Sequence, residues 1–270
     1  RTATAPALPC ENIMPHSGVL QDKTVIVTGG GGGIGRATCE VLAAAGARVI
    51  VSDLLEEAGR ATLEAVQSAG GEAVFVRADL ASEEDVRMLI GQAVSRFGRL
   101  DGAFNNAGVE QCALPLHELS TAQWERALRV DLTSVFWCLK YQVLAMLATG
   151  GGAIVNTASS LGQVAIQNAA EYIAAKHGVI GLTRAAAAEY GARGIRINAI
   201  LPGIIRTPMI ARLTEDARFS AFFERLKDRH PIGRFGEPRE IGEAVKWLLS
   251  DSASFMNGAA MACDGGYLAI

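Results

Sequence analysis

The sequence alternates short apolar runs with longer segments of helical periodicity, and this alternation is the feature that most constrains the fold. Seven runs rich in β-branched residues are typical of buried strands, and they read KTVIVTG, ARVIVSD, EAVFVRAD, LDGAFNN, GAIVNTAS, IRINAIL and AAMACDGG. Apolar residues recur at helical spacing over residues 34–45, 54–69, 83–97, 121–147, 172–190 and 238–249. The alternation predicts an α/β fold, a doubly wound parallel sheet of about seven strands with helices on both faces.

Composition and charge limit the remaining possibilities. Half of the 270 residues are hydrophobic, enough for one substantial core, so we expect a single domain over residues 18–270. Residues 1–17 mix Pro, Ala and polar residues without periodicity and are predicted to be a flexible leader.

A formal net charge of −3 argues against a nucleic-acid partner. No uncharged apolar run approaches the roughly 20 residues that span a bilayer, and no signal-peptide pattern is present. We therefore expect a cytoplasmic protein without a membrane partner.

The cysteines and histidines predict neither disulfides nor a metal site. The five cysteines are an odd number and contain no CxxC pair, so they are expected to be reduced packing residues. The four histidines show no metal-ligand spacing.

Five consecutive glycines lie in VIVTGGGGGIGRA, between the first predicted strand and the first predicted helix. A nucleotide pyrophosphate needs a tight turn, close backbone approach and a helix N-terminus with free N–H groups, and glycine permits all three. Two spacings fit at once. Gly30, Gly32 and Gly35 match GxGxxG, whereas Gly29, Gly33 and Gly35 match TGxxxGxG. The sequence alone does not choose between them.

Asp53, at the end of the second predicted strand, has two possible functions. Its carboxylate could accept hydrogen bonds from the adenosine ribose hydroxyls and repel a 2′-phosphate, which favours NAD over NADP. Alternatively, Asp53 caps the following helix, with Glu56 completing a capping box. The position at a strand end favours ribose recognition.

Tyr172 and Lys176 stand four residues apart in YIAAK and share one face of a helix. An ammonium group beside a phenol stabilises the ionised phenol, which makes it a better acid/base. Ser159 follows the strand GAIVNTAS, where its hydroxyl could hold a substrate oxygen. A tyrosine and a lysine at this spacing are more often packing and surface residues, so their combination with the glycine loop is what suggests chemistry.

These motifs together resemble those of the classical short-chain dehydrogenases/reductases, over a match from about residue 18 to the C terminus. The resemblance is carried by TGGGGGIG at 28–35, NNAG at 105–108, Ser159, YIAAK at 172–176 and PGIIRTPM at 202–209. It implies a Rossmann-type fold and reversible hydride transfer between nicotinamide and a secondary alcohol or ketone. In such an enzyme Tyr172 is the acid/base, Lys176 stabilises its ionised form and binds the nicotinamide ribose, and Ser159 orients the substrate oxygen.

The resemblance also implies a cofactor-binding set, with NAD as the expected cofactor. Asp79 is the adenine-side contact, residues 105–108 form the wall beside the cofactor, and Thr207 contacts the nicotinamide amide. The complete set is Gly29, Gly33, Ile34, Gly35, Asp53, Asp79, Leu80, Asn106, Ala107, Gly108, Tyr172, Lys176, Pro202, Gly203, Ile205 and Thr207.

One position departs from the family pattern. Asp131, in RVDLTSVFWCLKY, stands where the family usually has Asn, a residue of a water-mediated proton path from the lysine. Asp131 is therefore grouped with the catalytic residues Ser159, Tyr172 and Lys176. If the path uses mainly the backbone carbonyl, the change has a mild effect, and the nearly equal shapes of Asp and Asn favour this hypothesis. If the carboxylate ionises beside Lys176, its charge alters the alkaline side of the pH dependence.

The substrate is a small molecule whose identity the sequence leaves open. A lid is expected at about residues 203–232, in which Met209, Phe219, Phe222 and Phe223 either shape an apolar pocket or serve packing. NNAGVEQCALPLHELS, KYQVLAM and HPIGRFGEP are similar to members that oxidise cyclic secondary alcohols and diols. The alternatives are a 3-oxoacyl-thioester reductase and a non-catalytic nucleotide-binding regulator. The family resemblance further implies a homo-oligomer, with a tetramer favoured.

Overall fold

The structure is a computed structural model that describes residues 18–207 and 227–270. The predicted leader at residues 1–17 and the four lid residues Met209, Phe219, Phe222 and Phe223 lie outside the described residues. Seven strands form one sheet in the order β3-β2-β1-β4-β5-β6-β7, and every neighbouring pair is parallel. They are β1 (Thr24–Thr28), β2 (Arg48–Asp53), β3 (Glu72–Arg77), β4 (Gly102–Asn105), β5 (Gly152–Thr157), β6 (Ile195–Pro202) and β7 (Ala260–Cys263). The predicted fold class is confirmed.

Seven α-helices connect these strands within the described part of the chain. They are α1 (Gly33–Ala44), α2 (Glu56–Ser68), α3 (Glu83–Phe97), α4 (Thr121–Leu128), α5 (Ser134–Thr149), α6 (Ala170–Tyr190) and α7 (Pro238–Leu249). The bounds of α3 and α7 agree with the prediction. The others differ by one or two residues at an end, except for the segment predicted as one helix over residues 121–147, which is divided.

The division of that segment is a π-helical turn, Arg129–Thr133, which lies between α4 and α5. The run is therefore helical throughout, as predicted, but the wider turn in its middle was not predicted, because apolar periodicity does not register one widened turn. The Ser134 hydroxyl donates to the Val130 carbonyl oxygen at 2.6 Å at the end of this turn. The turn contains Asp131, whose side chain is buried and directed at Lys176 of α6.

The core consists of two apolar layers, one on each face of the sheet. Alternate residues of a strand point to opposite faces, so Ile26 joins one layer while Val25 and Val27 join the other. Helices α3, α5 and α6 contribute to the first layer, and α1 and α7 to the second. Each fully buried aliphatic side chain contributes about 1.5–3 kcal/mol, which holds the helices on both faces.

The helical run Thr121–Thr149 is long and apolar enough to cross a membrane, with a mean hydropathy of 1.3 in its most apolar window. A helix in the core of a protein can have the same length and apolar composition. Here Val135, Leu139, Val143 and Met146 of this run are packed in the first core layer, which accounts for one apolar face of the run.

Chain order in the sheet reverses between β1 and β4, since β2 and β3 lie on one side and β5, β6 and β7 on the other. In an open parallel sheet, ligands bind at this switch point, outside the carboxyl ends of the strands. The glycine loop follows β1 and the NNAG segment follows β4. The fold therefore places these two motifs on either side of the crevice.

Candidate active site

The glycine loop adopts the TGxxxGxG spacing. Gly29 and Gly33 have φ values of +63° and +49°, a region that side-chain-bearing residues rarely adopt. A Cβ at Gly35 would overlap the Gly29 carbonyl oxygen and lie 2.7 Å from its carbon. Gly32 by contrast is extended, with φ of −159°, and a Cβ there would meet nothing within 4 Å. The geometry thus selects between the two spacings that the sequence left open.

Helix α1 begins within this loop, and no side chain caps its N-terminus. Its N-cap is Gly32, which offers no capping side chain, and its first turn contains no acidic residue. The N–H groups of the first turn and the positive end of the helix dipole therefore lie at the glycine loop. This arrangement fits the pyrophosphate of a dinucleotide.

Hydrogen bonds join the glycine loop to the NNAG segment across the crevice. The Thr28 hydroxyl oxygen accepts from the backbone N–H of Asn106 at 2.9 Å and of Ala107 at 3.1 Å. The Asn106 side-chain amide donates to the Thr28 carbonyl oxygen at 3.1 Å. Asn106 and Ala107 are therefore fixed against the glycine loop at one side of the crevice. This position is consistent with a wall beside the cofactor.

Asp53 accepts a hydrogen bond from the glycine loop and does not form a capping box with Glu56. Its Oδ2 accepts from the Gly31 N–H and its Oδ1 from the Leu55 N–H, both at 2.9 Å. Helix α2 has Leu55 at its N-cap without a side-chain bond, and Glu56 pairs instead with Arg60. The capping-box alternative is therefore wrong. The carboxylate lies against the glycine loop, where a bound adenosine ribose would be within its reach.

Lys176, a member of the predicted catalytic group, is buried, with 3% of its surface exposed. Its Nζ donates to the Thr157 carbonyl oxygen at 3.2 Å, at the end of β5. It lies 5.3 Å from the centre of the Tyr172 ring, one helical turn away on α6. The ammonium and the phenol are thus held together, as their spacing predicts.

Asp131 approaches Lys176 from the π-helical turn. The distance from Asp131 Oδ1 to Lys176 Nζ is 3.4 Å, and both side chains are buried. The same Oδ1 accepts from the Val109 N–H at 3.1 Å. A Cβ at Gly108 would lie 2.5 Å from this oxygen, so glycine is needed there to admit the pair. Burial raises the pKa of the Asp131 carboxyl above its ordinary value, while Lys176 and the Val109 N–H act in the opposite direction.

Ser159 stands at the carboxyl end of β5 and begins a short 3-10 helix, Ser160–Gly162. Its Oγ accepts from the Leu161 N–H at 3.2 Å, which orients the hydroxyl. The 3-10 helix packs on α6 so closely that a Cβ at Gly162 would lie 3.0 Å from the Lys176 carbonyl oxygen. Ser159 and Tyr172 both remain partly exposed, so a substrate oxygen could reach their hydroxyls.

The segment after β6 covers the glycine loop. Gly203 approaches His230 and Asp264 so closely that a Cβ would lie about 3 Å from both. Ile205 is buried, and the Thr207 side chain lies 3.1 Å from a Cβ built at Gly33. The structure therefore brings Thr207 to the loop that the sequence assigned to the cofactor.

The adenine-side residues lie at the carboxyl end of β3. Asp79 Oδ1 accepts from the Ala81 N–H at 2.9 Å, and the Asp79 N–H donates to Asp85 at 3.0 Å. Leu80 is buried in the first core layer. These contacts fix the turn between β3 and α3, and the assignment of both residues to the cofactor stays a prediction.

The sequence analysis missed Glu171, which precedes Tyr172 on α6. Glu171 has 1% of its surface exposed, and its Oε1 accepts from the Cys112 N–H at 2.6 Å. Val109 and Cys112 belong to one loop after NNAG, so buried carboxylates hold both ends of that loop. A glutamate in the first turn of a helix is normally a surface residue, which left no signal for this contact.

Comparison with known proteins agrees with this arrangement. A family model described as enoyl-(acyl carrier protein) reductase matches residues 29–268. The 2,5-dichloro-2,5-cyclohexadiene-1,4-diol dehydrogenase of Sphingobium indicum is 51% identical over 253 residues, covering 93% of this chain and 99% of that protein. The chain belongs to the short-chain dehydrogenase/reductase family. Cyclohexanol dehydrogenase of an Acinetobacter species is 45% identical, covering 95% of this chain and 98% of that protein. The crystal structure of levodione reductase superposes with a TM-score of 0.89 at 40% identity, covering 92% of this chain and 98% of that one.

Membership in the short-chain dehydrogenase/reductase family confirms the resemblance drawn from the motifs. It also confirms an oxidoreductase that uses a nicotinamide cofactor. The glycine loop with its open helix N-terminus, the Asn106 wall and the Lys176–Tyr172 pair all border one crevice, so the residues present fit such a cofactor.

Proposed function

We propose that this protein is an NAD-dependent dehydrogenase that oxidises a cyclic secondary alcohol or diol to the corresponding ketone. The observation that carries the proposal is the Tyr172–Lys176 pair on α6, the helix on which the 3-10 helix that follows Ser159 is packed. Relatives at 51% and 45% identity are named as dehydrogenases of a cyclohexadiene diol and of cyclohexanol. Their names support a cyclic substrate.

Ser159, Tyr172 and Lys176 have separate roles in the proposed reaction. Ser159 holds the substrate hydroxyl, and the Tyr172 phenolate takes the hydroxyl proton. A nicotinamide cofactor held by the glycine loop, Asn106 and Lys176 would supply the acceptor for the hydride of the carbinol carbon. Lys176 stabilises the negative charge on Tyr172 before the transfer, because an opposite charge within about 6 Å favours the ionised form. In ketone reduction, Tyr172 returns the proton to the oxygen.

The preference for NAD is supported by Asp53 and its surroundings. Its carboxylate is fixed by the Gly31 and Leu55 N–H groups at the end of β2, where the adenosine ribose is expected. A 2′-phosphate there would meet a fixed negative charge. Leu54, the next residue, offers no cation to balance it.

The test is a substrate panel assayed with NAD, NADP, NADH and NADPH by absorbance of the reduced nicotinamide. The panel contains cyclohexanol, cyclic 1,2- and 1,4-diols, linear secondary alcohols and 3-oxoacyl thioesters. We expect the highest kcat/KM with a cyclic alcohol and NAD, and its loss in Tyr172→Phe. Efficient reduction of a thioester with NADPH would point to the acyl reductase alternative. Cofactor binding without turnover of any compound would contradict the enzymatic proposal.

A further inference from the structure

Lys176 has a charged neighbour that an asparagine at the same place could not supply. Asp131 Oδ1 lies 3.4 Å from Lys176 Nζ, and these side chains are 1% and 4% exposed. An ion pair so shielded from water interacts more strongly than a surface pair, because little solvent screens it. The lysine that supports Tyr172 is therefore directly coupled to a carboxylate.

The hydrogen bonds around Asp131 favour its ionised form. Oδ1 accepts from the Val109 N–H and faces the ammonium, while Oδ2 is buried and has no hydrogen-bond partner in the described residues. In the described residues, Oδ2 has neither an acceptor for the O–H of a protonated carboxyl nor a donor for an ionised one. The ionised form is stabilised at Oδ1, by the Val109 N–H and the Lys176 ammonium, and these contacts act against the effect of burial.

Few other charges act on this pair. From α4, Arg126 attracts the Asp131 carboxylate at longer range. From α6, Lys176 faces it directly and Tyr172 lies beyond the lysine. Glu171 is buried nearby on α6 but bonds the Cys112 N–H at the other end of the loop. Lys176 is thus the dominant partner of Asp131, and Asp131 the only carboxylate that an ion pair joins to Lys176 in the described residues.

We infer that Asp131 is a positioning residue whose negative charge holds Lys176 as an ammonium and sets the pH range in which Tyr172 works. This inference rests on the proposed dehydrogenase function. A carboxylate beside Lys176 favours the protonated lysine but disfavours a second negative charge on Tyr172.

The size of the effect follows from the distances. Asp131 Oδ1 is 3.4 Å from Lys176 Nζ, which is 5.3 Å from the Tyr172 ring centre, so the carboxylate lies within about 9 Å of the ring. At an effective dielectric constant of about 20, removing the Asp131 charge is expected to shift the titration midpoint of the Tyr172 phenol by about one pH unit.

The test compares kcat/KM against pH for the wild type and Asp131→Asn, with an alcohol that the wild type oxidises. We expect the whole profile of Asp131→Asn to move to lower pH by about one unit. A second readout does not need turnover. The ultraviolet titration of tyrosinate, taken as the difference between each protein and its Tyr172→Phe version, isolates one of the four tyrosines. Its midpoint should fall by a similar amount.

Asp101→Asn is the matched control, because it neutralises a buried carboxylate at the opposite edge of the sheet, where Asp101 precedes β4 and pairs with Arg99. Its pH profile and tyrosinate midpoint should not move. If Asp131→Asn does not fold, Asp131→Ser removes the charge with a smaller neutral side chain and has the same expected shift. Superimposable profiles for wild type and Asp131→Asn, or an equal shift in Asp101→Asn, would overturn the inference. Absence of turnover in the wild type would instead refute the proposed function, and the tyrosinate titration would still decide on Asp131.

Discussion

Replacing Gly35 by alanine tests the assignment of the glycine loop most directly. The added methyl group would overlap the Gly29 carbonyl oxygen and lie 2.7 Å from its carbon and 2.9 Å from Asn106 Nδ2. Gly29 cannot easily retreat, because its φ is +63° and Asn106 bonds the adjoining carbonyl of Thr28. The loop must therefore shift by about 1 Å, since nonbonded carbon atoms normally stay roughly 3.5 Å or more apart.

Two effects of this shift can be measured. Forcing a methyl group into a packed site costs about 1–3 kcal/mol, which lowers Tm by roughly 2–10 °C for a domain of this size. Misplacing a binding group by about 1 Å can cost on the order of 100-fold in activity. We expect thermal unfolding to show the first effect, and fluorescence titration with NADH to show at least a roughly tenfold weaker affinity.

Two alanine substitutions serve as controls. Gly32→Ala introduces a methyl group that meets nothing within 4 Å, at an extended backbone, so Tm should stay within about 2 °C of the wild type. Gly91→Ala lies on the exposed side of α3, also with nothing within 4 Å, and should stabilise the protein by about 1 kcal/mol. If Gly32→Ala weakens NADH binding more than Gly35→Ala does, GxGxxG is the operative spacing and the reasoning fails.

Three further predictions concern the site. Tyr172→Phe should lower kcat by about 10²- to 10⁴-fold with NADH affinity nearly unchanged; a variant with half of the wild-type kcat would exclude Tyr172 as the acid/base. Wild type should have a higher kcat/KM with NAD than with NADP, and Asp53→Ala should lose much of this preference. Asp53→Asn, which keeps an acceptor for the Gly31 N–H, separates charge from loop support, and a wild type that prefers NADP would refute the assignment. Gly108→Ala should displace Asp131 from Lys176 and lower kcat/KM at least about tenfold, and wild-type kinetics with an unchanged pH profile would contradict that contact.

The sheet and most helices could be predicted because local signals agree with the fold. The N-terminus of α3 follows Ser82, whose hydroxyl accepts from the Asp85 N–H, and α7 begins with Pro238 at its first position. The π-helical turn at Arg129–Thr133 was not predictable in the same way. Its widened hydrogen bonding depends on Asp131 reaching partners on β4's loop and on α6, which are distant in the sequence.

The site was predicted as a set of residues but not as a set of contacts. Tyr172 and Lys176 are close because one helix carries both, so their pairing could be anticipated from spacing. The choice of glycine spacing depends on the positive φ values of Gly29 and Gly33, which only the folded loop shows. Asp53 illustrates the same limit, since its bond to Gly31 crosses from β2 to the loop after β1. The two glycine spacings fit the sequence equally well, and only the folded backbone distinguishes them.

Asp131 shows why a departure from a family pattern has to be judged by its surroundings. A lone buried carboxylate would cost several kcal/mol, and a paired one regains that cost only with good geometry and hydrogen bonds. Here Gly108 leaves room for Oδ1, Val109 donates to it, and Lys176 balances its charge. An aspartate at this position is therefore compatible with the fold because Lys176 balances its charge. The same contact that makes the carboxylate tolerable connects it to Tyr172, so a change that preserves the fold still alters the acid/base chemistry.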